Sequence, residues 1–337
     1  MKVKLSQAHD MIVQCIKVGL VPIVKGSPAV GKSSIVHQIA KEFDLKVIDL
    51  RLAQCDPTDL LGFPNTANGR GRYVPMETFP IEGDEVPKGY DGWLLFMDEF
   101  TSAPRGVQAA AYKLVLDRMV GTHHLHKKVA IVCAGNLETD GAIVEEMSTA
   151  LESRLVHMEV TVDHTDWCEG WAMKNGIDHR ITSFVKFKPG MLYTFSPDHT
   201  DCTYASPRTW EFANRLVKGK EIGIEDIPLL AGTISEGVAR EFRTFTQIYS
   251  RLPTLTQMME QATTLPVPQE PSILFALTGS IAHNANDENA GPLMDFVSRL
   301  PIEFQVVTLR EMVRRSPALM NHKSVQAWIT KNAKELF

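Results

Sequence analysis

The feature that most constrains this chain is the run from Gly26 to Ser33, which reads G-x-x-x-x-G-K-S. Such a loop lets successive backbone N–H groups turn inward around phosphates, while its lysine reaches the β and γ oxygens and its serine hydroxyl holds Mg²⁺. The apolar run Val21–Val24 precedes the loop as a short buried strand, and apolar residues at helical spacing follow it up to Phe43. The N-terminus of that helix would face the anion, so the sequence predicts a nucleoside triphosphate site.

Composition limits the environment and the partners of the chain. Its 337 residues suggest two to three domains, and its 44% apolar content is ample for packed cores. The net charge of −5 and the pI of about 6.1 provide no global attraction to nucleic acid or to an anionic membrane. The five cysteines show no C-x-x-C spacing, which favours neither a disulfide framework nor a zinc site. The same cysteine usage predicts a cytoplasmic protein. The amphipathic N-terminal helix pattern and the lack of an 18-residue apolar run predict neither a signal peptide nor a membrane span.

Strand and helix patterns alternate up to about residue 160, which predicts an α/β fold with a mostly parallel sheet. Further buried strands are predicted at Val47–Leu50, Trp93–Met97, Val129–Cys133 and Val156–Val160. Residues 62–92 are rich in Gly and Pro and are too long for an ordinary connection. We therefore expect an inserted hairpin or functional loop there.

Beyond Val162 only helix patterns occur, and the Pro-rich stretch Leu265–Pro271 is the best candidate linker. The clearest of these helices are predicted at Pro207–Val217, Asp226–Tyr249 and Pro301–Arg314. The predicted domains are an α/β nucleotide-binding core over 1–162 with its insertion at 62–92, a helical lid over 163–264, and a C-terminal helical segment over 265–337.

A second nucleotide signal is the apolar run Leu94–Met97, which ends in the acids Asp98 and Glu99. The end of a strand would place both carboxylates beside the phosphate loop. Asp98 would hold Mg²⁺ through water, and Glu99 would orient and deprotonate the attacking water. The competing interpretation is a solvated strand terminus, which the phosphate loop upstream disfavours.

An ordered set of further motifs resembles AAA+ ATPases of the MoxR branch over about residues 10 to 217. The matching motifs are Asp56–Gly62 before the helix-2 insertion, Ala103-Pro104, Gln108, Ala110-Ala111, Leu114 and Asp117-Arg118 after the acidic pair, Ala134-Gly135-Asn136 (sensor 1), Ala150–Leu155 (arginine finger) and Ser206-Pro207-Arg208 (sensor 2). The chain departs from the family at Ser153, where Asp is common, and after about residue 218.

The resemblance implies an AAA+ P-loop core with a parallel sheet, followed by a helical lid and a C-terminal helical extension. It implies ATP and Mg²⁺ bound between the subunits of a homo-oligomeric ring, usually a hexamer. It also implies remodelling of a protein substrate, often with a partner bearing a von Willebrand factor type A domain. In that ring, Asn136 would contact the γ-phosphate or the attacking water, Arg154 would be the arginine finger, and Arg208 would be sensor 2.

Two groups of site residues are therefore predicted. The catalytic group is Glu99, Asn136, Arg154 and Arg208. The nucleotide-binding group is Gly26, Ser27, Pro28, Ala29, Val30, Gly31, Lys32, Ser33, Ser34 and Asp98, of which Ser33 and Asp98 would also serve Mg²⁺.

Several candidates have a simpler interpretation. Arg154 could cap a helix C-terminus or pair with an acid. Arg208 could be a solvated side chain, although a cation near a helix N-terminus opposes the dipole. The histidines at 123, 124 and 126 are interpreted as a solvated turn and not as a metal site, because no carboxylate or Cys lies near them at the spacing of a metal ligand. The basic run Gly69–Tyr73 could contact nucleic acid phosphate, an acidic peptide in a ring pore, or solvent alone.

The sequence leaves three kinds of function open. An ATP-driven protein remodeller or assembly chaperone is favoured by the acidic pI and by the lack of a recognisable DNA-binding motif. A nucleic-acid motor or loader is the alternative, since related AAA+ proteins with helix-2 insertions act on DNA. A non-hydrolysing, nucleotide-dependent scaffold is the third.

Overall fold

The computed structural model describes residues 2–66, 69–141, 144–249 and 251–332. Two residues of the predicted insertion, Ala67 and Asn68, and the last five residues of the predicted C-terminal segment lie outside these ranges. The chain forms two compact units, Met1–Asp163 with Ser196–Asp198 and His164–Phe195 with His199–Phe337. The predicted boundary between 264 and 265 stays a prediction. Among the described residues, no helix is both long and apolar enough to cross a bilayer.

The first unit is built on a parallel sheet. The described strands are β1 (Lys2–Val3), β2 (Val21–Lys25), β3 (Leu45–Arg51), β4 (Phe63–Asn65), β5 (Arg72–Val74), β6 (Gly92–Asp98), β7 (Met119–Val120), β8 (His123–His124), β9 (Val129–Gly135) and β10 (Leu155–Val160). In the described residues the main sheet has six strands in the order β1-β10-β2-β9-β6-β3, and every neighbouring pair is parallel. All five strands predicted from the sequence are present. The edge strand β1 was not predicted, because two residues are too few for a periodic pattern.

Both faces of the sheet are covered, as a parallel sheet requires. The helices of this unit are α1 (Leu5–Lys17), α2 (Lys32–Glu42), α3 (Pro57–Leu61), α4 (Arg105–Asp117) and α5 (Thr149–Glu152). Trp93, Leu95 and Met97 of β6 share a core with Val107 and Leu114 of α4. The intervening β6 residues point to the opposite face, against which α1 and α2 pack. This alternation explains why β6 is a continuous apolar run.

The predicted insertion contains an antiparallel hairpin of β4 and β5, in which Pro64 pairs with Tyr73. Gly62 enters it with a φ of 90°, and a Cβ at this position would lie 2.2 Å from the carbonyl oxygen of Val74. Glycine is therefore required at this point. The Tyr73 side chain is 42% exposed. A second hairpin joins β7 and β8 and contains two of the clustered histidines, His123 and His124.

The second unit is helical, and its described residues contain no strand. Its helices are α6 (His164–Asp166), a π-helix (Trp167–Ala172), α7 (His179–Phe187), α8 (Pro207–Val217), α9 (Ile227–Ile234), α10 (Glu236–Tyr249), α11 (Leu255–Glu260), α12 (Pro271–Asn284), α13 (Ala290–Val297), α14 (Ile302–Arg315) and α15 (Lys323–Lys331). α12 packs on α7, α10 and α14. A buried ion pair between Lys186 and Glu311 also joins α7 to α14.

The single helix predicted over Asp226–Tyr249 is wrong. Ser235 adopts a φ of 73°, which ends α9 at Ile234, and its carbonyl accepts the Ala239 N–H to begin α10. A residue with a positive φ cannot continue a right-handed α-helix. The apolar period continues through both helices, so periodicity alone did not reveal the break.

Candidate nucleotide-binding site

The phosphate loop lies between the end of β2 and the start of α2, as predicted. Gly31 has a φ of 110°, and a Cβ there would come within 2.9 Å of Leu5 Cδ1. At Gly26 a Cβ would lie 2.6 Å from Val160 Cγ2, and Ala29 is left-handed at a φ of 61°. These conformations curl the backbone in front of the first turn of α2, whose N–H groups form an anion site.

Lys32 occupies the centre of this loop. Its side chain is 8% exposed, and its Nζ donates to the carbonyl oxygens of Gly26 at 2.6 Å and Ser27 at 3.0 Å. It also donates to Asn136 Oδ1 at 3.0 Å. A bound phosphate would offer this ammonium charged acceptors, which form stronger hydrogen bonds than these neutral oxygens. The structure thus joins the loop lysine to the predicted sensor 1 asparagine, 104 residues later in the chain.

The two side chains predicted to serve Mg²⁺ are in direct contact. Ser33 Oγ donates to Asp98 Oδ2 at 2.9 Å, because Asp98 ends β6 and Ser33 lies in the first turn of α2. A hydroxyl and a carboxylate are the hard oxygen donors that Mg²⁺ prefers, so the residues present fit this ion. Among the described residues no group of three His, Cys, Asp or Glu side chains could hold a metal ion. An ion between Ser33 and Asp98 would therefore depend on nucleotide phosphates and water for its other ligands.

Glu99 has an unusual backbone conformation. Its φ of 55° and ψ of 31° place a bulky non-glycine residue in the left-handed region, and its N–H donates to Asp98 Oδ1 at 2.8 Å. Conformations of this kind cost about 1–3 kcal/mol and are concentrated at active sites, where the surrounding structure enforces them. Here the turn ends β6 at Asp98 and leaves the Glu99 side chain half-exposed at the carboxyl edge of the sheet.

Sequence reasoning missed Thr101, which fixes the backbone of Asn136. Thr101 Oγ1 accepts the N–H of Asn136 at 3.0 Å and lies 3.1 Å from its carbonyl oxygen, to which it donates. The Thr101 side chain is 2% exposed, and a Cβ on Gly135 would lie 2.6 Å from it. Glycine at 135 therefore allows the close approach. A threonine two residues after an acidic pair is too common to signal such a role.

A second unexpected contact involves Ser27, whose Oγ donates to Asp140 Oδ1 at 3.0 Å. The other oxygen, Asp140 Oδ2, is buried and has no hydrogen-bond partner among the described residues. A carboxylate beside a phosphate loop opposes anion binding electrostatically. No motif in the sequence indicated that these residues, 113 positions apart, would meet.

In the described part of the chain, the hydrogen bonds of Arg154 are to its own neighbours and not to the residues of this cluster. Arg154 is exposed, donates to the carbonyl oxygen of Ala150 at 2.5 Å and lies 5.2 Å from the centre of the Tyr112 ring. Within one chain the Arg154 side chain therefore contacts a carbonyl oxygen of α5, as expected of a residue that caps the C-terminus of that helix. Arg208 belongs to the second unit, at the start of α8, where Ser206 is the N-cap as predicted. The nucleotide roles of both arginines stay predictions.

The parallel sheet, the phosphate loop after β2 and the acidic end of β6 define a P-loop core of the α/β class. This core, followed by helices, confirms the predicted fold class. No family model matches the sequence, and no curated protein matches it.

Several solved structures have a limited likeness to this chain. One is the RuvB Holliday junction branch migration motor of Thermotoga maritima, with 14% identity and a TM-score of 0.38 over 82% of this chain and 80% of that chain. A putative ATPase from Cytophaga hutchinsonii has 14% identity and a TM-score of 0.37 over 98% and 89%. NtrX from Brucella abortus has 14% identity and a TM-score of 0.37 over 100% and 68%. Scores this low carry no argument about function, which depends on the residues of the site.

Proposed function

We propose that this chain is a Mg²⁺-dependent ATPase of the AAA+ class, of the MoxR branch, which hydrolyses ATP to ADP and phosphate. The observation that carries the proposal is the pair of contacts at the carboxyl edge of the sheet, Lys32 with Asn136 and Ser33 with Asp98. Four residues from three separate motifs converge there. Convergence of this kind is much more specific than any one of the motifs.

Each residue has a role in the proposed reaction. Lys32 and the loop N–H groups bind the phosphates, and Asn136 holds the attacking water or the γ-phosphate. Glu99 accepts a proton from that water as its oxygen attacks phosphorus and the bond to the leaving ADP breaks. Mg²⁺, held near Ser33 and Asp98, would neutralise charge on the phosphate oxygens.

We further propose that the protein acts as a homo-oligomeric ring, hexameric in the family it resembles, and remodels a protein substrate. The exposed Tyr73 on the β4–β5 hairpin supports a substrate-gripping loop. A partner with a von Willebrand factor type A domain is part of the same proposal. The lid role of the helical unit, with Arg208 at the start of α8, belongs to it as well.

A nucleic-acid motor is the second candidate, because the same hairpin contains Arg72 beside Tyr73 and exposed Arg70 nearby. Arginine and aromatic side chains together suit a phosphate backbone and its bases. Binding of single- or double-stranded DNA that weakens steeply with salt would favour this candidate. Capture of protein without DNA would favour the remodeller.

The decisive experiment separates nucleotide binding from hydrolysis. Lys32→Ala should lose ATP binding, whereas Glu99→Gln should bind ATP and hardly turn over, leaving an ATP-bound assembly. Lys41→Ala, an exposed lysine on the same helix, and Glu260→Gln, an exposed acid of the second unit, are matched controls. Nucleotide fluorescence measures binding and phosphate release measures turnover. Hydrolysis by Glu99→Gln at the parental rate would overturn the assignment of the base.

The same trapped variant identifies the substrate. Glu99→Gln loaded with ATP should retain its protein target, which mass spectrometry of the captured material would name. Lys32→Ala, which should not load, is the control for non-specific capture. Equal recovery of every protein with both variants would count against the remodelling proposal and leave the ATPase assignment intact.

A further inference from the structure

A groove of about 530 Å³ opens at the edge of the main sheet opposite the phosphate loop. Leu45 begins β3, Asp91 precedes β6 and Val129 begins β9, and all three residues line the groove. Because the strands are parallel, their amino ends share one edge and the phosphate loop lies at the other. Small ligands of open α/β sheets bind at the carboxyl edge, so this groove is separate from the nucleotide site.

The floor of the groove is apolar and partly exposed. Ile16 from α1, Leu20, Phe43 and Ile131 line it. Leu20 is 51% exposed and Phe43 is 37% exposed. Large apolar side chains that cluster around a concavity, instead of being scattered singly, mark a surface that binds another molecule. The volume is within the range of about 300–1,000 Å³ that is usual for ligand pockets.

The rim of the groove is strongly basic. It contains four cations, Lys17, Arg118, Lys127 and Lys128, against one acid, Asp91. In the described part of the chain none of these four cations lies within ion-pair distance of a carboxylate. A concave, low-dielectric surface lined by charges of one sign focuses their potential, so these cations should attract anions.

Arg118 provides a second, independent observation. It is half-buried and left-handed, with a φ of 53° that ends α4, and its Nη2 donates to the carbonyl oxygen of Val129 at 2.5 Å. Burial lowers the pKa of Arg118, which reports the cost of removing this cation from water. A guanidinium has five donor hydrogens, so one carbonyl leaves most of them available to a ligand. Desolvated cations of this kind are stabilised by an anionic partner.

We propose that the groove binds an acidic peptide segment of a partner protein. One large apolar side chain would pack on Leu20 and Phe43, and flanking carboxylates would pair with Arg118, Lys127 and Lys128. An apolar floor with a single exposed aromatic ring favours a peptide over nucleic acid, because single strands need successive aromatic rings on which to stack. The site does not involve the nucleotide and goes beyond the proposed ATPase function.

The test measures fluorescence anisotropy of the full chain with a fluorescein-labelled peptide of about twelve residues, rich in Asp and Glu around a central Phe-Leu pair. Lys127→Glu with Lys128→Glu should weaken its binding about tenfold or more, because attraction becomes repulsion. Lys174→Glu with Arg310→Glu reverses two exposed cations of the second unit and should leave the affinity unchanged. Phe43→Gln should weaken binding severalfold with little change in its salt dependence.

The peptide controls isolate the two parts of the interaction. Replacing the acids by Gln and Asn should abolish binding, and replacing Phe-Leu by two Ser should weaken it. Lys32→Ala should bind the acidic peptide normally, so failure of the ATPase proposal would leave this one standing. The proposal would be overturned if the groove variant and the control variant bound the acidic peptide equally well. It would also be overturned if the protein bound single-stranded DNA more tightly than the peptide and only the groove variant lost that DNA binding. Circular dichroism and thermal melting establish that each variant is folded.

Discussion

We expect Thr101→Val to reduce ATP turnover, because Thr101 holds the backbone of Asn136 in place. Valine keeps the volume and the methyl contact with Gly135 but loses both hydrogen bonds to the Asn136 backbone, at 3.0 and 3.1 Å. Each bond is worth about 1 kcal/mol net, so the free energy of unfolding should fall by about 2 kcal/mol. Asn136 Oδ1 contacts Lys32 Nζ, so a displacement approaching 1 Å should also lower kcat by about 10- to 100-fold.

The assay is steady-state phosphate release at saturating ATP, with urea unfolding of the same samples. Thr101→Ser keeps the hydroxyl and should retain kcat within about threefold. Thr182→Val is the control for a buried hydroxyl elsewhere, since Thr182 is 1% exposed in the second unit and donates to a carbonyl oxygen. It should lose stability and keep kcat. If Thr101→Val turned over ATP at the parental rate while still folded, the positioning role of Thr101 would be refuted.

Three other predictions test the β4–β5 hairpin, the subunit interface and the helical unit. Tyr73→Ala should leave basal ATPase largely intact and abolish substrate remodelling; unchanged remodelling would refute the substrate-gripping role of the β4–β5 hairpin. Arg154→Ala should bind ATP with turnover reduced about 10³- to 10⁵-fold, and mixing it with Lys32→Ala should restore some hydrolysis. Arg154 would be a structural cap if co-assembled mixtures of the two variants stayed inactive at every ratio while each variant mixed with wild type was active. Burial lowers the pKa of His179 to about 4, whereas the same histidine in the unfolded chain has a pKa near 6.5. As pH falls, His179 is therefore protonated in the unfolded chain before it is protonated in the folded one. The contribution of His179 to the free energy of unfolding should fall by about 2 kcal/mol between pH 7 and 5. His179→Phe should reduce that loss in urea unfolding, and an identical pH profile would contradict the assignment.

Local signals predicted most of the first unit. The phosphate loop could be identified because glycine tolerates the φ of 110° at Gly31 and because Lys32 and Ser33 stand at defined spacing. Continuous apolar runs predicted β6 and β9, since strands buried on both faces cannot alternate with polar residues. The start of α8 at Ser206-Pro207 was also predicted from the sequence, because an N-cap depends only on neighbouring residues.

The same local reasoning failed where a single backbone angle decided the outcome. Ser235 divides one apolar-periodic stretch into α9 and α10 by taking a left-handed φ. Propensity treats serine as a tolerated helix residue, so nothing adjacent in sequence distinguishes this position. With the chain broken at Ser235, α9 and α10 pack against each other within the second unit.

By itself, then, the sequence determined which residues could bind a phosphate and an ion, because Gly31, Lys32, Ser33 and Asp98 belong to short motifs of defined chemistry. Only the tertiary structure decided what supports them. The contacts of Thr101 with Asn136 and of Ser27 with Asp140 join positions 35 and 113 residues apart. Such contacts depend on how parallel strands bring their carboxyl ends to one edge of the sheet, which no local pattern of residues encodes.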